Sequence, residues 1–204
     1  NEGASYHDFV EAMFESHRHT PTMPAHLICD ADFVRDYGLG NVHPGTTNLS
    51  QWERDGYLVV APSLAALAQR LNIDAQGLEA TVARYNEMAC AGKDLDFGKG
   101  DTELNRFNGD PAQKPNPCLR PIARGPFISV AVWPAEIATS TGLETNRDGQ
   151  VLDAQGQPIQ GLYACGNDMA SVMMGTYPGP GTTLGPALTF AYRLAHHAAG
   201  KALP

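Results

Sequence analysis

The chain has 204 residues, 43% of them hydrophobic and 18% charged, an ordinary globular mixture long enough for one domain or for one and a half. Its formal net charge of -8 argues against a nucleic-acid surface, which needs a basic face. No apolar run reaches the roughly 18 residues of a membrane helix. The start lacks a basic stretch followed by an apolar one, so no secretory leader is expected.

The four cysteines, Cys29, Cys90, Cys118 and Cys165, lie far apart with no CxxC pair. That spacing predicts reduced thiols in a cytoplasmic protein rather than a disulfide framework or a zinc site, and no metal-binding cluster is expected. The chain opens on NEGASYHDF without Met, as if cut from something longer.

In chain order, residues 6–16 carry helical spacing at Phe9, Val10, Met13 and Phe14. HLICD (26–30) reads as a short buried strand, with Asp30 capping a brief helix through Tyr37 that Gly38 stops. Residues 39–60 are loop-rich, with a strand at YLVVA. Ser63 caps a helix with Leu64, Leu67 and Leu71 on one face. Asp74 caps a longer one, with Leu78, Val82, Tyr85 and Ala89 aligned and Gly92 at its end. Residues 93–126 read as an ordered loop, because Phe97, Phe107, Cys118 and Leu119 are too apolar for a linker.

From Phe127 the texture changes. FISVAVWP alternates like a strand, and GLETNRDGQVLD reads as a hairpin turning at Asp148-Gly149. GLYACGN (161–167) is a short apolar strand, and GPALTFAYRLAHHAAG is a final helix stopped by Gly200. Between them lies GTYPGPGTTLGP (175–186). Strand, bare turn and helix N-terminus together bring backbone close to a ligand. Gly179, Gly181 and Gly185 remove Cβ atoms that would block the approach. Pro178 and Pro180 stiffen the turn, and Pro186 fits a first helical turn. The helix end carries a partial positive charge of roughly half a unit, which favours an anion or a ring that becomes anionic on reduction. No Gly-Lys-Ser/Thr follows, so this is not a nucleotide P-loop. The competing reading is a tight structural turn.

VLDAQGQPIQGLYACGN, GTYPGPGTTLGPALTFAYRLAHHAA, NEGASY, LEATVARYNEMACAGKDLDFGKG and NPCLRPI together resemble the FAD-dependent family of the 3-ketosteroid 1-dehydrogenases. More distantly they resemble the fumarate reductases and succinate dehydrogenases. The resemblance implies an α+β fold: a cap or catalytic domain over 1–130, then the C-terminal strand-turn-helix element of an FAD-binding domain over 131–204. The dinucleotide fingerprint GxGxxG is nowhere in the sequence, so the N-terminal Rossmann half is expected to be missing. An autonomous small domain is the competing reading.

Within that family, a dicarboxylate enzyme needs His and Arg at the flavin. Here the place of its His-Thr-x-Gly-Gly stretch reads Ile137-Ala138-Thr139-Ser140-Thr141-Gly142, and Asn167–Tyr192 holds no Arg or Lys. The resemblance therefore favours desaturation of an apolar, 3-ketosteroid-like ketone. It assigns the ketone oxygen to the Tyr177 hydroxyl and the Gly181 N–H, and α-proton removal to Tyr6. It puts Gly166, Asn167, Asp168, Pro180, Thr182, Thr183 and Leu184 at the flavin. Each has a blander reading: Tyr6 at a helix edge, Asn167-Asp168 as a plain turn, His196-His197 on the surface, Met169, Met173 and Met174 as apolar filler. The chain alone is expected to be inactive and not to retain FAD, which the missing half would hold. The alternatives are a fumarate reductase or succinate dehydrogenase type flavoprotein, and a non-catalytic module or subunit awaiting a separate FAD-binding chain.

Overall fold

Asp30 sets the start of the fold. In the computed structural model, which describes residues 1–203, it ends strand β1 (Ala25–Asp30) and caps helix α2 (Ala31–Tyr37), accepting from the Phe33 N–H at 2.9 Å. Its other carboxylate oxygen accepts from the amides of Ala123 and Arg124 at 3.1 and 3.3 Å. Gly38, at φ 80°, closes α2 as expected; a Cβ there would collide with the Val42 carbonyl at 2.3 Å.

The chain divides into two compact units, Asn1–Pro134 and Ala135–Pro204. In the first, β3 (Phe127–Val132) is the middle of a three-stranded antiparallel sheet, flanked by β1 and β2 (Leu58–Ala61). The register sets Phe127 opposite both Asp30 and Ala61, and Ile128 opposite both Cys29 and Val60. Alternation then gives each face its own core. Cys29, Leu58, Ile128 and Val130 pack with Val34, Val42 and Trp52. Ala61 and Phe127 pack with Leu67, Ile28 and Val59.

The helices follow their caps. Helix α1 (Tyr6–His17) is capped by Ser5 and buries Met13. Helix α4 (Leu64–Leu71) is capped by Ser63 and buries Leu67 completely. Helix α5 (Ala75–Ala91), from Asp74 to Gly92, buries Val82, Met88 and Ala89. Two five-residue helices, α3 (Ser50–Arg54) and α6 (Glu103–Phe107), occupy stretches expected to be loops. They are too short to show a periodicity. The stretch after α5 is ordered mainly by polar side chains. Asn86 exchanges two hydrogen bonds with Ile122, at 2.8 and 2.7 Å, and Asn116 donates to the Gly92 carbonyl. Leu119 is buried, but Phe97 and Phe107 are exposed, Phe107 by 87%, against the expectation that all of the apolar residues here anchor the loop.

In the second unit, the hairpin after Gly142 turns on three residues, Arg147-Asp148-Gly149, closed by the Asn146 amide on the Gln150 carbonyl at 3.0 Å. This corrects the two-residue turn read from Asp148-Gly149. Gly149 takes φ 77° at the end of the loop, and Asn146 Oδ1 accepts from the amides of Asp148 and Gln150. Strand β4 (Gln150–Leu152) pairs with β5 (Pro158–Tyr163), which starts earlier than expected and is largely exposed. A 3-10 turn over Gly166–Asp168 follows, and α7 (Leu184–Ala198) ends the unit. Val151, Ala164 and Met169 form a small core against Phe190. Arg193 holds the hairpin to α7 through the Arg147 carbonyl and the Asp148 carboxylate, at 2.6 and 2.8 Å. The opposite side of α7 presents Leu184 and Leu188, about 70% exposed, with Tyr192 one turn further on.

Candidate active site

The glycine-rich turn has a backbone built for bareness. Met174, Gly175, Gly179 and Gly181 all take positive φ, at 52°, 83°, 151° and 97°. The turn before it is closed by Met174 N–H on the Ser171 carbonyl and Thr176 N–H on the Met173 carbonyl, at 3.1 and 3.0 Å. Thr176 Oγ1 donates to the same Met173 carbonyl at 2.7 Å. Tyr177 and Gly179 are half-buried, while Pro178, Pro180 and Gly181 are exposed.

Helix α7 then begins without a side-chain cap, since Thr183 makes no capping hydrogen bond. The Gly185 N–H is taken by the Gly181 carbonyl at 2.8 Å, and Pro186 has none to donate. Gly185 is the informative residue. Its φ is not in the left-handed region, it lies in the first helical turn, and a Cβ built on it would meet nothing within 4 Å. Glycine is a poorer helix former than alanine, by up to about 1 kcal/mol in a helix interior, and no steric contact of a Cβ requires it here. The same open space surrounds Gly179 and Gly181. The turn and the helix end thus present a face stripped of side chains toward the outside. Such a face fits a flat ring brought against backbone, and the uncapped helix end fits negative charge on that ring.

The 3-10 turn Gly166–Asp168 packs against the same helix: a Cβ on Gly166 would lie 3.4 Å from that of Ala187. Asn167 and Asp168 are exposed. Beside them runs Thr139–Leu143. Thr139 Oγ1 donates to the Asn167 carbonyl at 3.0 Å, Leu143 N–H to the Asp168 carbonyl at 2.8 Å, and Ala170 N–H to the Leu143 carbonyl at 2.9 Å. A Cβ on Gly142 would clash with the Asp168 carbonyl at 2.6 Å, so this glycine serves the seam itself. Sequence reasoning took Thr139–Gly142 only as the place where a His is lacking; its pairing with Asn167–Ala170 has no local signature.

Met169 belongs to the core of this unit, whereas Met174 is 89% exposed. His197 Nδ1 lies 2.9 Å from the Tyr163 hydroxyl, and His196 Nδ1 3.0 Å from the Ala202 carbonyl. In the first unit, Tyr6 is the first residue of α1, half-exposed, directly after the Ser5 cap, whose Oγ accepts from the Asp8 N–H at 3.1 Å. Among the described residues no three His, Cys, Asp or Glu side chains gather as a metal site, and no helix is long and apolar enough to cross a membrane.

The bare turn and the uncapped helix end thus sit in a mixed helix–strand frame. The chain belongs to the FAD binding domain family, whose pattern it matches over residues 1–184. Among individual proteins, it is 42% identical over 185 residues to the 3-oxosteroid 1-dehydrogenase of Comamonas testosteroni, covering 89% of this chain and 32% of that protein. It is 39% identical over 193 residues to the 4-oxocyclohex-2-ene-1-carboxylate 5-dehydrogenase of Sinomonas cyclohexanicum, covering 95% and 33%. The crystal structure of the 3-ketosteroid delta1-dehydrogenase of Sterolibacterium denitrificans, in complex with 1,4-androstadiene-3,17-dione, superposes with a TM-score of 0.94 at 42% identity. That match covers 98% of this chain and 37% of that one. The chain therefore spans about a third of the length of the curated relatives it matches.

Proposed function

We propose that this chain is the cap domain (residues 1–130) and the C-terminal element (131–204) of an FAD-dependent dehydrogenase that introduces a double bond beside a ring ketone, most closely a 3-ketosteroid. The observation that carries the reading is the stripped face at Gly179, Gly181 and Gly185, where a Cβ at any of the three would meet nothing within 4 Å. FAD, when bound, supplies the acceptor for the β-hydride. Gly166, Asn167, Asp168, Pro180, Thr182, Thr183 and Leu184 are the residues we assign to holding its ring system.

The chain's own residues do the rest. The Tyr177 hydroxyl and the Gly181 N–H donate to the ketone oxygen. Their pull strengthens as that oxygen gains enolate character, which acidifies the α-carbon. Tyr6 takes the α-proton onto its phenolic oxygen. A phenol starts from a pKa near 10, so this role requires surroundings that favour its anion. The stretch Asn167–Tyr192 carries no Lys or Arg, so this turn has no cation to clamp a carboxylate. A fumarate or succinate chemistry is disfavoured on that ground.

The same reading explains the exposed apolar faces. Leu184, Leu188 and Tyr192 on α7, with Ile159 and Leu162 on β5, are surfaces for the remaining FAD-binding part, in the same polypeptide or in a separate one. Without that part the chain is neither active nor able to retain FAD.

Two substitutions in the full-length parent test the assignment. Tyr177→Phe should lower turnover of a 3-ketosteroid by about 10²-fold or more; an unchanged rate removes Tyr177 from the reaction. Gly185→Leu should strip the flavin absorbance from the purified protein while the fold persists by circular dichroism. Full retention of flavin would refute the stripped-face argument.

A further inference from the structure

Asn105 is 4% exposed, and both polar atoms of its side chain are hydrogen-bonded to the start of the chain or to its own loop. Its Oδ1 accepts from the Gly100 N–H at 3.0 Å and from Asn1 Nδ2 at 3.4 Å, and its Nδ2 donates to the Gly3 carbonyl. A Cβ on Gly3 would lie 3.2 Å from that Nδ2, so the backbone at Gly3 is seated directly on the amide. Asn105 is itself fixed. Its N–H donates to Thr102 Oγ1 at 3.2 Å, and its carbonyl accepts from Cys118 Sγ at 3.1 Å.

The same short segment is held at two more points. Asn1 Nδ2 donates to the Phe97 carbonyl at 3.2 Å, and Glu2 pairs with Lys99, whose side chain is largely buried. Burial works against both charges, but each partner overcomes it: the Glu2 carboxyl is held below its usual range and the Lys99 ammonium above. The Lys99 ammonium also sits 5.8 Å from the centre of the Tyr85 ring. Within the segment, Asn1 Oδ1 accepts from Gly3 N–H at 2.9 Å and the Asn1 carbonyl from Ala4 N–H at 3.0 Å. Ser5 then caps α1, and Tyr6 is the helix's first residue.

A helix start is free to slide or fray unless something outside it fixes the entry. Here a buried amide 102 residues further along the chain grips the backbone three residues before the proposed base. We propose that Asn105 is a positioning residue for proton abstraction: by holding the Gly3 carbonyl, it fixes where α1 begins and so where the Tyr6 phenol is presented. The proposal rests on the reading of Tyr6 as the base. Misplacing a reacting group by about 1 Å costs up to about 10²-fold in rate. Asn105 touches no reacting atom, so its effect must pass through Tyr6.

A double-mutant cycle in the FAD-loaded full-length enzyme tests this, with the rate of flavin reduction by a saturating 3-ketosteroid as the readout. Tyr6→Phe should slow reduction by about 10²-fold or more. Asn105→Ala should slow it by about tenfold, leave KM nearly unchanged, and add nothing further on the Tyr6→Phe background. Equal factors on both backgrounds, or no loss from Asn105→Ala, would overturn the positioning role while the base assignment stands. A wild-type rate for Tyr6→Phe would sink the base assignment, and the proposal with it. If Asn105→Ala does not fold, Glu2→Gln weakens the second grip on the same segment at a half-exposed position. Its smaller loss should likewise vanish in Tyr6→Phe, and persistence of the loss there would count against the proposal.

Discussion

Removing the Asp30 carboxylate should unfold the first unit more readily by an amount that separates its two jobs. One oxygen caps α2 through Phe33 at 2.9 Å; the other satisfies the amides of Ala123 and Arg124 at 3.1 and 3.3 Å. The residue is buried, so water reaches those three amides poorly once the carboxylate is gone. Losing an N-cap costs about 1 kcal/mol. Losing hydrogen bonds to a charged acceptor, with buried donors left over, costs about 2–3 kcal/mol more. Asp30→Ala should therefore lose about 3–4 kcal/mol, and Asp30→Ser, which can still cap but cannot reach Ala123, about 2–3 kcal/mol. Both tryptophans, Trp52 and Trp133, lie in this unit, so urea unfolding followed by tryptophan fluorescence reports on it alone. With a slope of about 2 kcal/mol per molar urea, the midpoint should fall by about 1.5–2 M for Asp30→Ala. A loss under 1 kcal/mol would refute the accounting of the tie, and identical midpoints for Ala and Ser would refute the cap's share.

Two further outcomes follow from the titrating groups. Burial, with Asp30 alongside, pushes the Cys29 thiol up to about 12, whereas Cys90 is exposed, so at pH 8 a thiol reagent should label Cys90 at once and Cys29 only on unfolding; equal labelling rates in the native protein would contradict this. Hydrogen bonds from Arg35 and Arg120 hold the Asp36 carboxyl down to about 2. A depressed folded pKa stabilises the fold above the unfolded value of about 3.9, and that contribution is lost as pH falls toward 2. Asp36→Asn should thus be less stable than wild type at pH 6, with the gap closing between about pH 4 and pH 2; a gap independent of pH would show that the ion pairs contribute nothing.

What the sequence disclosed was local chemistry. Asp30, Ser63 and Asp74 as caps, and Gly38 and Gly92 as stops, act on their own neighbours, and each stands where the residues placed it. The YPGPG turn was legible for the same reason, since glycine and proline act on their own backbone. The middle place of β3 was not, because strand order is a matter of distant pairing. Nor was the hold of Asn105 on Asn1 and Gly3, which lie about a hundred residues away in the chain. Phe97 and Phe107 misled because apolarity alone does not say which surface will cover a side chain. Gly185 was read as one glycine among three; only the empty space around it, in a helix that would prefer alanine, singles it out.

The middle place of β3 has a consequence for how the chain is made. Phe127 must meet both Asp30 and Ala61, so neither β1 nor β2 has a ladder partner until the nascent chain has grown past Val132. Helices α4 and α5, whose contacts are near in sequence, can form and dock on each other long before that. The apolar runs at Leu27–Cys29 and Leu58–Val60 meanwhile wait as open strand edges, which is when they are most prone to pair with other chains. Any recombinant boundary drawn between residues 93 and 132 makes that waiting state permanent.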